Sequence, residues 1–200
     1  MKGKRSMIYI VRHGQTEQNQ KKKMQGRSNY PLNDFGKEQA AEVGALFREA
    51  GIRFDKVYSS PLTRALQTAE LIGDGAPVET DERLIEMDYG PYEGEDLYDP
   101  SPEVKAFFQD FVHTPAPEGM EPLSDIVART GELIEELREE AKTKTLLLST
   151  HAIAMKGLLE YLTPESQGSY WSKFIGNCGV YATELTEEGF AVPYEVRFPK

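Results

Sequence analysis

Short apolar segments alternate with amphipathic segments along this chain, and this alternation constrains the fold more than any other feature. Segments rich in β-branched and aromatic residues predict strands. They lie at 7–11, 54–58, 145–148, 179–185 and 191–198. Pro193 falls inside the last segment and predicts an edge strand, because proline cannot donate to a central ladder.

Helices are predicted between these strands from apolar stripes at helical spacing. The stripes cover 33–51, 60–69, 126–141 and 155–162. Asn33 is the expected N-cap of the first helix and Gly51 ends it, while Ser60 and Pro61 are expected to begin the second. Strands that alternate with helices predict a three-layer α/β/α fold with a mainly parallel central sheet.

The segment 89–122 interrupts the alternation. It is rich in proline and glycine and contains one short predicted helix near 103–111. Long connections of this kind often form lids or specificity regions. We therefore expect one domain over residues 1–200 with a lid or specificity excursion at about 89–122.

Charge and composition limit the partners of the chain. The formal net charge is -10, which opposes binding to nucleic acid or to an anionic membrane surface. Residues 7–11 are the only apolar run before Arg12, too short for a secretory signal, so a cytoplasmic location is expected. Cys178 is the single cysteine, and with three histidines it disfavours a structural zinc site. We expect no metal and no cofactor.

Polar residues follow three of the predicted strands at their carboxyl ends, where ligands bind in open α/β sheets. They are Arg12, His13 and Gly14, then Ser59, Ser60 and Arg64, then Ser149, Thr150 and His151. Two arginines, two imidazoles and two helix N-termini are therefore predicted to meet at one rim. Such a set suits a dianionic tetrahedral group, because arginine and helix N-termini both donate to phosphate oxygens.

Nearby residues extend this predicted phosphate site. Gly14 lets the backbone approach closely, and Asn19 lies close enough in sequence to add a donor. The lysines at 21–23 are either solvated surface or a means of steering an anion toward His13. His113, inside the excursion, is assigned no role.

Other phosphoryl-transfer chemistries lack their motifs. The sequence contains no G-x-x-x-x-G-K-[ST] loop and no G-x-S-x-G elbow, and no arginine follows Cys178 by five residues. No D-x-D cluster is available for an aspartyl nucleophile with magnesium. Histidine is the remaining nucleophile, since it can form a covalent phosphoryl intermediate.

Five motifs in one order resemble the histidine phosphatase superfamily, the phosphoglycerate mutase-like proteins. Residues 11–19 are similar to its R-H-G-x-T-x-x-N motif. The other matches are Gln25-Gly26 with Pro31-Leu32, Gly36 and Gln39-Ala40; 59–69; 83–86 with Gly90, Glu93 and Gly94; and 149–151. They span about three quarters of the chain, and the resemblance is to the cofactor-independent phosphatase branch.

The resemblance implies roles for these residues. His13 would become phosphohistidine, and Glu86 would act as general acid and then as base, which requires it to be protonated when substrate binds. The phosphoryl oxygens and the substrate would be held by Arg12, Gly14, Asn19, Gln25, Gly26, Arg64, His151 and Ala152. No metal is implied.

Three positions depart from the family pattern. Ala152 stands where glycine is usual, although its backbone N–H remains and phosphate binding is expected to persist. Asn29 replaces a common aspartate. Residues 119–122 differ from the usual Gly-Glu-Ser, which removes a basis for expecting substrate contacts there.

The excursion favours a phosphatase over a mutase. Lys105 is the only lysine or arginine in 89–122, so a second phosphate would be poorly held there and water would accept the phosphoryl group. A mutase-type phosphotransferase and a non-catalytic module that binds phosphate or phosphopeptides remain alternatives. The expected partner is a small-molecule phosphate monoester of open identity, and the protein is expected to be a monomer or a homodimer.

Overall fold

The computed structural model describes residues 6–198. Its strands are β1 (Ile8–Arg12), β2 (Lys56–Ser59), β3 (Val78–Thr80), β4 (Leu146–Thr150), β5 (Val180–Thr183), β6 (Leu185–Thr186), β7 (Gly189–Phe190) and β8 (Tyr194–Glu195). The main sheet has the order β3-β2-β4-β1-β5-β8, and β6 pairs with β7 separately. Strands β1 to β4 are mutually parallel, whereas β5 and β8 run antiparallel. The predicted mainly parallel sheet is confirmed.

The helices connect these strands and cover both faces of the sheet. They are α1 (Glu17–Gln20), α2 (Asp34–Glu49), α3 (Thr63–Gly73), α4 (Pro102–Gln109), α5 (Leu123–Glu136), α6 (Arg138–Ala141) and α7 (Ala152–Leu162), with short 3₁₀ helices at Glu82–Leu84, Gly90–Tyr92 and Pro164–Ser166. None of the helices within 6–198 is long and apolar enough to cross a membrane.

Alternate residues of β1 define the two hydrophobic layers. Ile8 and Ile10 pack in one core with residues of α5 and α7, while Tyr9 and Val11 pack in the other with residues of α2 and α3. Because successive strand side chains point to opposite faces, β1 is buried on both sides. The three-layer α/β/α arrangement follows from this double burial.

Several predicted strands end later or earlier than expected. The strands predicted at 7–11, 54–58 and 145–148 each begin and end one or two residues further on, because their ladders continue to the polar rim. The segment 179–185 divides into β5 and β6, and 191–198 contains only the two-residue edge strand β8. Strand β3 was not predicted, since all three of its residues are exposed.

The helix boundaries show several corrections: the helix predicted at 126–141 divides into α5 and α6, and the one predicted at 155–162 begins at Ala152. The Asn33 side chain caps α2 by accepting from the Gly36 N–H, as predicted. The predicted N-cap at Ser60 is wrong, because α3 begins at Thr63 after an N-cap at Leu62. The Ser60 hydroxyl is instead bonded to the side chain of His151 and to the Leu62 N–H.

The excursion at 89–122 forms a third hydrophobic cluster rather than a loose loop. Its helix α4 is close to the predicted one, and Val104 and Phe107 of α4 are fully buried. They pack in one cluster with Ile126 of α5 and Ile153 of α7. The excursion is therefore anchored beside the carboxyl ends of β1 and β4.

Candidate active site

His13 lies directly after β1 with its ring held in one orientation. Its Nδ1 is 2.7 Å from the Gly14 carbonyl oxygen, which can only accept, so Nδ1 carries a proton. The Nε2 lone pair of a neutral ring is then available for attack. Glycine is required at 14 because a Cβ there would lie 2.4 Å from the Gly36 carbonyl oxygen.

The surroundings of His13 keep its imidazole neutral. The ring is 3% exposed, and burial followed by the positive charges of Arg64 and Arg12 lowers its pKa well below the ordinary value of 6.5. The bond to the Gly14 carbonyl opposes this change only weakly. A neutral ring is the form that a nucleophilic histidine needs.

His151 stands beside His13, with 5.1 Å between the ring centroids. Arg64 Nε donates to His151 Nδ1 over 3.1 Å, so the proton of a neutral His151 ring is on Nε2, which donates to Ser60 Oγ over 2.7 Å. Burial, and next the charge of Arg64, lowers the His151 pKa well below 6.5. The two imidazoles therefore meet, as the resemblance implies, and both are neutral.

Arg64 is fully buried and anchored by a loop of the second motif. Nη1 and Nη2 donate to the carbonyl oxygens of Ser28 and Gly26, each over 2.7 Å. Burial lowers the pKa of Arg64 to about 10. The Gln25 amide lies 3.0 Å from Nη1 and 2.6 Å from Thr16 Oγ1, and since guanidinium only donates, the amide oxygen faces Arg64.

Gly14 and Gly26 use their N–H groups within the protein. Gly14 donates to Thr68 Oγ1 over 3.0 Å, and Gly26 donates to both carboxylate oxygens of Glu93. A Cβ at 26 would lie 2.4 Å from the Met87 carbonyl oxygen. Both glycines therefore allow close backbone packing around the site, and the structure assigns their N–H groups other partners than a phosphate.

Glu86 is bound at the N-terminus of α7. Its Oε1 accepts from the N–H groups of Met87, Ile153 and Ala154 at 2.9, 3.1 and 2.9 Å. The helix N-terminus was predicted to serve the phosphate, but its amides hold this carboxyl group instead. At α3, Asn29 Oδ1 similarly accepts from the Thr63 N–H over 2.7 Å.

Arg12 and Asn19 present polar groups at the same place. Arg12 Nη1 donates to the Ile175 carbonyl over 2.5 Å, and its buried Nε has no hydrogen-bond partner among residues 6–198. Asn19 Oδ1 accepts from the Thr16 N–H and from Asn177 Nδ2, each over 3.2 Å. An unpaired buried donor on arginine indicates a site that an anionic ligand completes.

Asn177 was not identified from the sequence. Its Nδ2 also donates to the His13 carbonyl over 3.0 Å. The residue precedes β5, whose antiparallel direction brings its amino end to the rim where β1 and β4 end. The sequence predicts a strand at 179–185 but not its direction. The antiparallel direction is what places Asn177 at the rim, so the residue could not be identified beforehand.

A cavity of about 530 Å³ connects these groups. Of the predicted site residues, it is lined by Arg12, His13, Asn19, Gln25, Glu86 and Ala152. Gly14, Gly26, Arg64 and His151 are not part of its wall, and the side chains of Arg64 and His151 are fully buried. Four lysines from outside the excursion also line it: Lys22, Lys23, Lys156 and Lys173. The nucleophile, a carboxyl group and concentrated positive charge thus share one cavity in an acidic protein.

His113 lies away from this cavity. Its side chain is 80% exposed and its Nδ1 is 2.9 Å from Asp110 Oδ1. The aromatic residues of the excursion serve two purposes. Phe107 belongs to the satellite core, whereas Tyr98 lines the cavity.

A mainly parallel α/β sheet with two buried imidazoles and two arginines at its rim has the fold and the side chains expected of a protein that binds a phosphoryl group. The chain belongs to the histidine phosphatase superfamily (branch 1), whose family model matches residues 8–194. A broad-specificity phosphatase of Saccharomyces cerevisiae is 33% identical over 175 residues, which cover 82% of this chain and 73% of the yeast protein.

Two other relatives extend this comparison. An Escherichia coli protein named "Probable phosphoglycerate mutase GpmB" is 32% identical over 90% of this chain and 85% of its own length. A mutant phosphoserine phosphatase of Entamoeba histolytica, solved in complex with phosphoserine, is 26% identical with a TM-score of 0.80 and covers 96% of this chain and 95% of that one. The predicted family and fold are confirmed.

The lowered pKa of His13 predicts the acid side of the pH–rate profile. Because attack needs the neutral ring, kcat/KM for p-nitrophenyl phosphate should stay high as the pH falls through 6.5 and decline only at lower pH. Steady-state rates from pH 4.5 to 8 measure this, with circular dichroism at each pH as a check on folding. An acid limb whose half-maximal kcat/KM lies at pH 6.5 or above would contradict the lowered pKa of His13.

Proposed function

We propose that the protein hydrolyses small-molecule phosphate monoesters through a phosphohistidine at His13 Nε2. The observation that carries this proposal is the neutral His13 ring, whose Nδ1–H is held by the Gly14 carbonyl while the ring lines the same cavity as Arg12 and Glu86. A fixed tautomer with a free Nε2 is what a phosphoryl acceptor requires.

The first step forms a bond between His13 Nε2 and phosphorus while the bond from phosphorus to the ester oxygen breaks. Glu86, entering protonated, gives its proton to the leaving alcohol. Arg12 and Asn19 donate to the phosphoryl oxygens from the cavity wall. We place Arg64 Nη2 and the His151 Nε2–H as further donors, which would turn from their present partners when the phosphoryl group binds.

The second step returns the enzyme to its starting state. Water attacks phosphorus as the bond to Nε2 breaks, and the Glu86 carboxylate takes the proton from water. Inorganic phosphate leaves, His13 is neutral again and Glu86 is again protonated. The three backbone amides that hold Glu86 fix its position through both steps.

One observation supports a mutase as the second candidate. Lys105 is the only lysine or arginine of the excursion, but four lysines of other elements line the cavity: Lys22, Lys23, Lys156 and Lys173. Positive charge for a second acidic group is therefore present. Release of inorganic phosphate without a bisphosphoglycerate primer distinguishes hydrolysis from mutase activity.

His13→Ala is expected to reduce turnover of p-nitrophenyl phosphate by at least about 10³-fold, because the nucleophile is removed. His113→Ala is the matched control, since it removes an exposed imidazole that does not line the cavity and should leave the rate unchanged. Released phosphate is measured with EDTA present, which also tests the expectation that no metal takes part. Near wild-type turnover by His13→Ala would exclude His13 as the nucleophile.

Glu86→Gln is expected to affect substrates according to their leaving group. For an alkyl phosphate, kcat should fall by about 10²–10⁴-fold, while p-nitrophenyl phosphate should lose far less because p-nitrophenolate needs little protonation. Glu82→Gln, in the same loop but exposed, is the control. Equal losses for both substrates would contradict the acid role of Glu86.

A further inference from the structure

Lys156 is a cation of the cavity that the phosphoryl-transfer steps do not use. It lies four residues after Ala152 on α7, so both residues share one face of the helix, and both line the cavity. One helical turn is about 5.4 Å. Glu86 is bonded to the N–H groups of Ile153 and Ala154, so Lys156 lies within one helical turn of the amides that hold Glu86.

The ammonium of Lys156 is only partly satisfied by the protein. Nζ donates to the Trp171 carbonyl over 2.7 Å and lies 5.7 Å from the centroid of the Phe111 ring. Within residues 6–198, no carboxylate lies within 4.0 Å of it. An ammonium has three N–H groups, so two remain for a ligand.

Partial burial has an electrostatic consequence for this group. Burial and the charge of Arg12 lower the pKa of Lys156 to about 8, although Glu86 opposes the change. A desolvated cation without a close counter-ion gains free energy when an anion reaches it. The Lys156 ammonium is therefore able to bind a negatively charged group of the substrate.

The other lysines of the cavity are differently engaged. Lys23 pairs with Asp96 over 3.5 Å, and Lys173 lies over the rings of Tyr170 and Tyr181. Lys22 is exposed. Lys156 is thus the lysine of this wall that combines partial burial with unused donors.

We propose that Lys156 determines specificity by binding a second anionic group, such as a carboxylate, on the organic part of the phosphate ester. This inference rests on the proposed phosphatase function and names its substrate class. Because Glu86 and Lys156 line the same cavity, one phosphate ester can reach both groups. Phe111 and Trp171 form the wall beside that group.

The test compares two esters that differ only in the acidic group. 3-Phosphoglycerate carries a carboxylate where glycerol 3-phosphate carries a hydroxymethyl group. Lys156→Met should lower kcat/KM for 3-phosphoglycerate by about 10- to 100-fold and change that for glycerol 3-phosphate by less than about threefold. Lys156→Arg should restore most of the loss, because it restores the charge.

Lys22→Met is the matched control. It removes the same charge from the same cavity without removing the buried donor, so it should reduce both rates by a similar small factor. Two results would overturn the proposal. One is a wild-type kcat/KM that is no higher for 3-phosphoglycerate than for glycerol 3-phosphate. The other is an equal loss of activity on both esters in Lys156→Met.

Binding separates this proposal from the proposed function. In a His13→Ala background, calorimetry measures the affinity for 3-phosphoglycerate without turnover, and adding Lys156→Met should weaken it by about tenfold or more. Failure of the wild type to hydrolyse p-nitrophenyl phosphate would contradict the phosphatase function while leaving this measurement valid. Unchanged affinity would contradict the role of Lys156 whether or not the protein hydrolyses phosphate esters.

Discussion

The parallel pairing of β1 with β4 is the interaction on which the site depends. Arg12 stands opposite Thr150 in this ladder, and the His13 N–H donates to the Thr150 carbonyl oxygen over 2.9 Å, so the pairing continues past the end of both strands. The next residues, His13 and His151, are thereby placed side by side. A shift of one residue in this register would turn one imidazole to the opposite face of the sheet.

Burial decides the charge of the groups that the sheet brings together. Two arginines share the site with two imidazoles, and both imidazoles are neutral because they are buried and face positive charge. Arg64 keeps its charge in the interior because backbone carbonyls accept from both of its Nη atoms. The protein, with a net charge of -10, thus concentrates positive charge where a dianion would bind.

The elements with a regular pattern of apolar residues could be predicted from the sequence. The central strands are buried on both faces, so their apolar runs indicated strands, and the polar residues that follow them indicated the rim containing His13 and His151. Strand β3 escaped prediction because its side chains are exposed, and Ser60 was misread as an N-cap because a distant histidine engages its hydroxyl. Neither the pairing of an exposed strand nor a bond to a distant histidine can be predicted from the local sequence.

The site residues that the sequence analysis missed are placed at the site by the direction of a strand and the orientation of a helix. Asn177 reaches His13 only because β5 runs antiparallel, and Lys156 reaches the cavity only because α7 presents that face to the excursion. The first amides of α7 were expected to hold phosphate, yet those of Ile153 and Ala154 hold the carboxyl group of Glu86, which comes from a different loop. Which group a helix N-terminus binds can be seen only in the tertiary structure.

Covalent attachment of the phosphoryl group to one atom, Nε2 of His13, is the central step of the proposed reaction. Quenching the enzyme with alkali during turnover preserves phosphohistidine, and peptide mapping with ³¹P NMR then identifies the modified nitrogen. The structure predicts one phosphoryl group on Nε2 of His13, since Nδ1 is bound to the Gly14 carbonyl. A phosphoryl group on His151 or on Nδ1, or hydrolysis with inversion at phosphorus and no labelled histidine, would contradict it.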